Sequence, residues 1–184
     1  MIWLIWLIIA LAALIFVILV SYYNRFALLG NRIDNSLSQI DVQLKRRADL
    51  IPNLIETVKG YAKHEAKIMK EVSDARKSLV SAKDIVGKVK ANTVLESALG
   101  RLFAIAENYP NLKANENFLE LQKELSATED RVAYSRQFYN DSILSYNNLC
   151  NTFPGNFFAG IFGKKEREYL QIAGAEKKVV KVNF

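Results

Sequence analysis

One histidine, His64, and one cysteine, Cys150, are the chain's whole supply of imidazole and thiol. A serine, threonine or cysteine nucleophile needs a base beside it, and His64 adjoins Glu65 with no serine or cysteine near it in sequence. One imidazole and one thiol cannot make a thiolate/imidazole zinc cluster within a single chain. Glu116, Glu120 and Glu124 recur every fourth residue. A carboxylate metal site in a helix bundle would turn such glutamates inward and add a Glu-x-x-His pair, and that pair is absent. Spacing by four on a solvated helix face explains them more simply. No glycine-rich phosphate or dinucleotide loop and no His-Glu-x-x-His motif occurs. These residues point away from an enzyme and from any metal or organic cofactor; a cryptic hydrolase centred on His64 is the remote alternative.

Two other charges stand out by position. From Asp34 to Lys59 the apolar residues Ile33, Leu37, Ile40, Leu44, Ile51, Leu54 and Val58 step by four and three, interrupted only at Arg47. That spacing makes one stripe along a helix, the seam that packs on partner helices. Arg47, and Glu65 in the next segment, therefore fall where burial is expected, and a lone buried charge is costly. If the chain turns back at Gly60, the two lie at different distances from the turn and do not face each other. Each then needs its own partner, and the Arg47 region is expected to contact another subunit or protein. Tyr134, Gln137, Tyr139, Asn140, Tyr146 and Asn147 give a later helix an amide-rich, tyrosine-bearing surface, suited to specific contacts unless part of it is core.

The elements that hold these residues begin with an anchor. Ile2 to Tyr23 carries no charge, and at ~1.5 Å per residue it can cross a ~30 Å hydrocarbon core. Trp3 and Trp6 at one end and Tyr22 and Tyr23 at the other suit the two interfaces. A cleaved signal peptide would have a basic start and a shorter apolar core. Arg25 and Arg32 are the first basic residues, which places the N-terminus outside and the body in the cytoplasm.

Past the anchor the pattern is helical throughout. Glycine is scarce, and proline occurs only at 52, 110 and 154. Pro52 removes a backbone hydrogen bond and presses on the Ala48 carbonyl, so a kink is expected there. Gly60 is the expected stop of the first long helix. A second helix follows over 63–79, with Glu65, Ile68, Val72, Ala75 and Leu79 on its stripe. Ser81 to Asn92 reads as a loop around Gly87, with Thr93 and Glu96 as a capping box. The third helix carries Leu95, Leu99, Leu102, Ala106 and Tyr109 and stops at Pro110. The fourth runs from near Asn115 to about Thr152 with the stripe Leu121, Leu125, Thr128, Val132, Ser135, Tyr139, Ser142, Tyr146, Leu149 and Phe153.

Two long and two short helices make an all-α, up-and-down four-helix bundle after a transmembrane helix. The alternative is one rod from Asn31 to Leu79. Three segments result: anchor 1–23, bundle 24–153, and an aromatic, glycine-rich stretch with a tail, 154–184. The stretch from Phe153 to Gly163 is too short to span. Phe157, Phe158 and Phe162 are expected either at the bilayer interface or the base of the anchor, or as a cap on the bundle's own core. Val179 to Phe184 could add a strand or dock as a peptide.

A net charge of +6 from 25 basic and 19 acidic residues is spread too evenly for a nucleic-acid face. The dense run Lys45-Arg46-Arg47 is flanked by Asp41 and Asp49 at helical spacing and reads as a paired helix surface. A lone cysteine gives no disulfide framework.

Particular blocks carry a resemblance. Ile40-Asp-Val-Gln-Leu-Lys-Arg-Arg47, Asp49-Leu-Ile-Pro-Asn-Leu54 and Val58-Lys-Gly-Tyr61 resemble the hallmark of the LemA family. Tyr109 to Phe118, Tyr139-Asn140, Tyr146-Asn147 and Phe153-Pro154 are similar to its later blocks. Asn183 departs from the closing Val-Asp-Phe. The resemblance covers essentially the whole chain and implies a bacterial single-pass protein of the cytoplasmic membrane with a cytoplasmic helical bundle; it implies no reaction. The resulting expectation is a non-enzymatic scaffold or adaptor that contacts lipid, other membrane or cytoplasmic proteins and further copies of itself, not nucleic acid. A regulator of a membrane protease or envelope-stress pathway is the alternative.

Overall fold

The computed structural model describes residues 2–170, and among them there are six helices and no strand. Val179 to Phe184 and Asn183 lie outside the described residues. The helices are α1 (Ile2–Tyr61), α2 (Ala66–Ser81), α3 (Ile85–Ala106), α4 (Pro110–Lys113), α5 (Glu116–Asn151) and α6 (Gly155–Ile161). They form two compact units, one of 1–36 with 137–169 and one built mainly from 37–136.

The second unit is an alternating four-helix arrangement, legible from its cross-helix partners. The last part of α1 runs against α5, with Tyr61 bonded to Asn115 and Arg46 to Glu124. The α2–α3 hairpin pairs Glu71 with Arg101, and Phe103 of α3 meets Phe118 of α5 edge-on. Ile40, Leu44, Ile51, Leu54 and Val58 of α1 are all buried, as the stripe demands. Ile68, Val72 and Leu79 of α2, Leu95, Leu99 and Leu102 of α3, and Leu125 and Val132 of α5 are buried in the same unit.

Several local expectations are corrected. Gly60 lies inside α1, which ends at Tyr61; the Ala62 N–H still bonds the Val58 carbonyl, so no left-handed glycine is needed. The break at 62–65 removes the continuous rod. Ser81 to Asn92 is not a loop, because Asp84 starts α3 by accepting from the Gly87 N–H at 3.2 Å. A Cβ on Gly87 would approach the Asp84 Oδ1 to 2.8 Å, so glycine here admits the cap. Thr93 is therefore mid-helix and bonds the Val89 carbonyl, and Thr93/Glu96 caps nothing. Pro110 begins α4, where its missing N–H costs nothing. Phe153, placed on the α5 stripe, is 86% exposed, because the buried stripe ends at Leu149 and Cys150.

The first unit joins the start of α1, the end of α5, α6 and a non-helical segment, 164–169. Phe26, Ile33, Ile143, Tyr146 and Leu149 are its buried centre. Ser36 and Ser142 are fully buried there, yet each donates to a carbonyl of its own helix, Arg32 and Phe138. A buried hydroxyl satisfied this way lets neighbouring helices approach without an unpaired group.

Candidate functional site

Several polar pairs among the described residues join one helix to another. In the second unit Arg47 is 2% exposed. Its guanidinium donates to Asn92 Oδ1 of α3 at 3.2 Å and meets Glu129 of α5 at 3.5 Å. Burial pushes this guanidinium below its ordinary value, while Glu129 and Glu96 counter the push. The Nε finds no partner. The guanidinium thus has partners within its own unit, and Lys45-Arg46-Arg47 is not a uniform surface run. Asp41 pairs with Lys88 of α3 at 2.9 Å, not with Lys45. Glu65 precedes α2 and accepts from the Tyr109 hydroxyl at 3.0 Å. That hydrogen bond holds the Tyr109 proton more tightly than usual.

Pro52 leaves no backbone donor for the Ala48 carbonyl. Helix α2 supplies one: Arg76 Nε donates to that carbonyl at 2.8 Å. A long-range side chain replaces the missing rung, and α1 continues through Pro52.

In the first unit, two of the residues singled out on α5, Tyr146 and Asn147, hold the chain's own non-helical segment. Asn147 is buried; its Nδ2 donates to the Arg167 carbonyl and its Oδ1 accepts the Arg167 N–H, both at 2.9 Å. The amide copies one rung of a β-ladder. The Arg167 guanidinium lies 5.4 Å from the centre of the Tyr146 ring and bonds Asp34 of α1 at 3.1 Å. Tyr139 and Tyr146 are buried, and burial raises both hydroxyls. Asn140 is half-buried on the same helix. Nothing local marks Arg167, which sits in Lys-Lys-Glu-Arg-Glu and reads as a solvated run. Replacing Asn147 with leucine removes two hydrogen bonds, each worth ~0.5–1.5 kcal/mol net. Trypsin should then cut after Lys164, Lys165 and Arg167 about 10-fold faster or more in the full-length protein. An unchanged digestion rate would show that the clip contributes nothing.

The aromatic stretch docks on α1. Tyr22 stacks on Phe158 at 4.4 Å, Tyr23 meets Phe162 edge-on at 5.5 Å, and Phe26 meets Tyr146 and Phe162. Phe158 is buried, Phe162 half-buried and Phe157 exposed. Trp3 and Trp6, on the apolar run, are exposed. Gly155 permits this docking, because a Cβ there would collide with the Leu149 carbonyl and lie 3.0 Å from its Cδ1. Gly155→Ala should displace α6 at a cost of about 1–3 kcal/mol. Loss of near-ultraviolet circular dichroism from the Tyr22–Phe158 stack, with helix content retained, is the check.

Cys150 is buried, and burial followed by the Glu166 carboxylate pushes its thiol up, the opposite of an activated nucleophile. His64 is exposed at the turn between α1 and α2.

Fold and contacts define an all-α protein with one long apolar N-terminal helix and polar side chains spent on joining helices. The chain belongs to the LemA family, whose model matches residues 36–184. It is 28% identical over 178 residues to magnetosome protein MamQ of Magnetospirillum gryphiswaldense, covering 83% of this chain and 65% of that protein. It is 27% identical over 179 residues to magnetosome protein MamQ 1 of Paramagnetospirillum magneticum, covering 83% and 66%. Protein LemA of Metamycoplasma hominis is 28% identical over 130 residues, covering 70% of this chain and 59% of that protein. The matches span just under two thirds of the length of the magnetosome relatives.

Proposed function

We propose that this chain is a non-enzymatic, single-pass protein of the bacterial cytoplasmic membrane. Its cytoplasmic helices serve as a scaffold or adaptor for other proteins and for further copies of itself. The observation that carries the reading is the state of α1. Every large apolar side chain from Ile2 to Val17 is more than half exposed, on a helix long and apolar enough to cross a membrane. A water-soluble protein does not present so large a continuous apolar surface, and lipid is the medium that accepts it. Arg25 and Arg32 after the run support the cytoplasmic placing of the body.

The scaffold half rests on what the helices leave outside. Val42, Val80, Val86, Val94, Leu119 and Tyr134 of the second unit are exposed. Beside them, a cleft of about 230 Å³ lies between Leu44, Ala48, Leu79, Val80 and flanking charges. Similarity in sequence to proteins named for a magnetosome fits an adaptor whose partners change more than its frame.

Photo-crosslinking in native membranes tests this. A crosslinker at exposed Tyr134 should capture discrete protein adducts, and one at buried Tyr139 only its own chain. No adduct at Tyr134 or at any exposed valine would remove the scaffold reading.

A further inference from the structure

Helix α6 has two faces. Gly155, Phe158 and Ala159 are buried, whereas Phe157 and Ile161 are 64% and 53% exposed and Phe153, just before the helix, is 86% exposed. Phe157 and Ile161 are four apart and share the outer face. The inner face rests on Tyr22 and Tyr23, the last two residues of the uncharged run. The exposed aromatics therefore sit at the level where that run ends. Charge agrees with the placement. Residues 1–33 and 142–165 contain no aspartate or glutamate but do contain Arg25, Arg32, Lys164 and Lys165. Arg32 is engaged over the Phe138 ring at 4.7 Å, and Arg25, Lys164 and Lys165 are exposed.

We infer that α6 is a membrane foot. Phe153, Phe157 and Ile161 enter the boundary between headgroups and acyl chains, and Arg25, Lys164 and Lys165 meet anionic lipid headgroups. An aromatic edge beside basic residues is the chemistry of an interfacial helix. A protein occupant fits less well, since a stable interface buries ~1,200–2,000 Å², far more than three side chains provide. The inference rests on the reading that residues 2–23 cross the bilayer, and the test separates the two.

The full chain, with Cys150→Ser, would carry a nitroxide on cysteine at 157, at 11 or at 134, in vesicles of phosphatidylcholine with about 30% phosphatidylglycerol. Collision with oxygen against a nickel chelate gives depth. The label at 11 should lie in the acyl region and that at 134 in water. The label at 157 should lie about 5–10 Å inside the boundary, and move towards water with Lys164→Glu and Lys165→Glu or in phosphatidylcholine alone. A label at 157 as accessible to nickel as that at 134, with 11 still deep, overturns the foot and leaves the anchor standing. A label at 157 shielded from both reagents means a protein or second copy covers α6, and also overturns it. Equal depth without anionic lipid overturns the role given to the basic residues. A label at 11 in water sinks the anchor itself.

Discussion

Arg47→Ala is expected to destabilise the full-length protein in mild detergent by about 3–5 kcal/mol, read from guanidinium unfolding followed by circular dichroism. The guanidinium fills space at the centre of the second unit, where Arg47 is 2% exposed, so truncation opens a cavity. It also strips Asn92 Oδ1 of its donor, leaving a buried acceptor unsatisfied. Arg47→Met keeps most of the volume and should cost only about 1–2 kcal/mol, because losing the desolvated charge offsets the orphaned amide. Glu129 adds little to that cost, since its side chain is 47% exposed and returns to water. Adding Asn92→Leu to Arg47→Met should bring stability within ~1 kcal/mol of the parent, since an ion or polar pair replaced by apolar groups of similar volume is often neutral. Should Arg47→Met cost as much as Arg47→Ala, the charge itself would be required and the packing account would fail.

The second large effect is at Pro52. Proline in a helix interior costs ~3 kcal/mol relative to alanine, and Pro52 is exposed in α1. Pro52→Ala should therefore stabilise by about 1–3 kcal/mol, because the new N–H bonds the Ala48 carbonyl within the helix. Arg76→Met alone should cost about 1.5–3 kcal/mol, the range for a hydrogen bond from a charged group. In the Pro52→Ala background the same change should cost about 1 kcal/mol or less, since the carbonyl has a second donor. Additive effects would show that Arg76 stabilises through packing alone.

These two sites mark the boundary of what the chain revealed on reading. The stripe from Ile33 to Val58 and that from Leu125 to Leu149 were legible, since apolar periodicity fixes which face of a helix is buried. The Pro52 defect was legible too, but its repair by Arg76 was not, because a partner 28 residues away leaves no local mark. The Arg47 position announced burial without announcing Asn92 and Glu129. Asp41 lies four residues before Lys45, a pairing that helical spacing makes easy to see; its pairing with Lys88 depends on how α3 lies against α1. The start of α3 was missed because Gly87 and its small neighbours resemble a loop, whereas Asp84 uses that glycine to cap. On α5, the tyrosine and amide pattern suggests contact with other proteins, and it does not reveal that Tyr146 and Asn147 hold a segment of their own chain within the first unit. Their partner there is Arg167 of the same chain.

In the function proposed above, a bilayer-held helix carries a contact-making body. Excising the protein from its native membrane in polymer-bounded discs, and weighing the protein in each disc, tests that most directly. The account expects the chain only in discs, with a protein mass of several copies or of one copy plus a fixed partner. A lone chain in every disc, or a chain recovered without lipid, would contradict it.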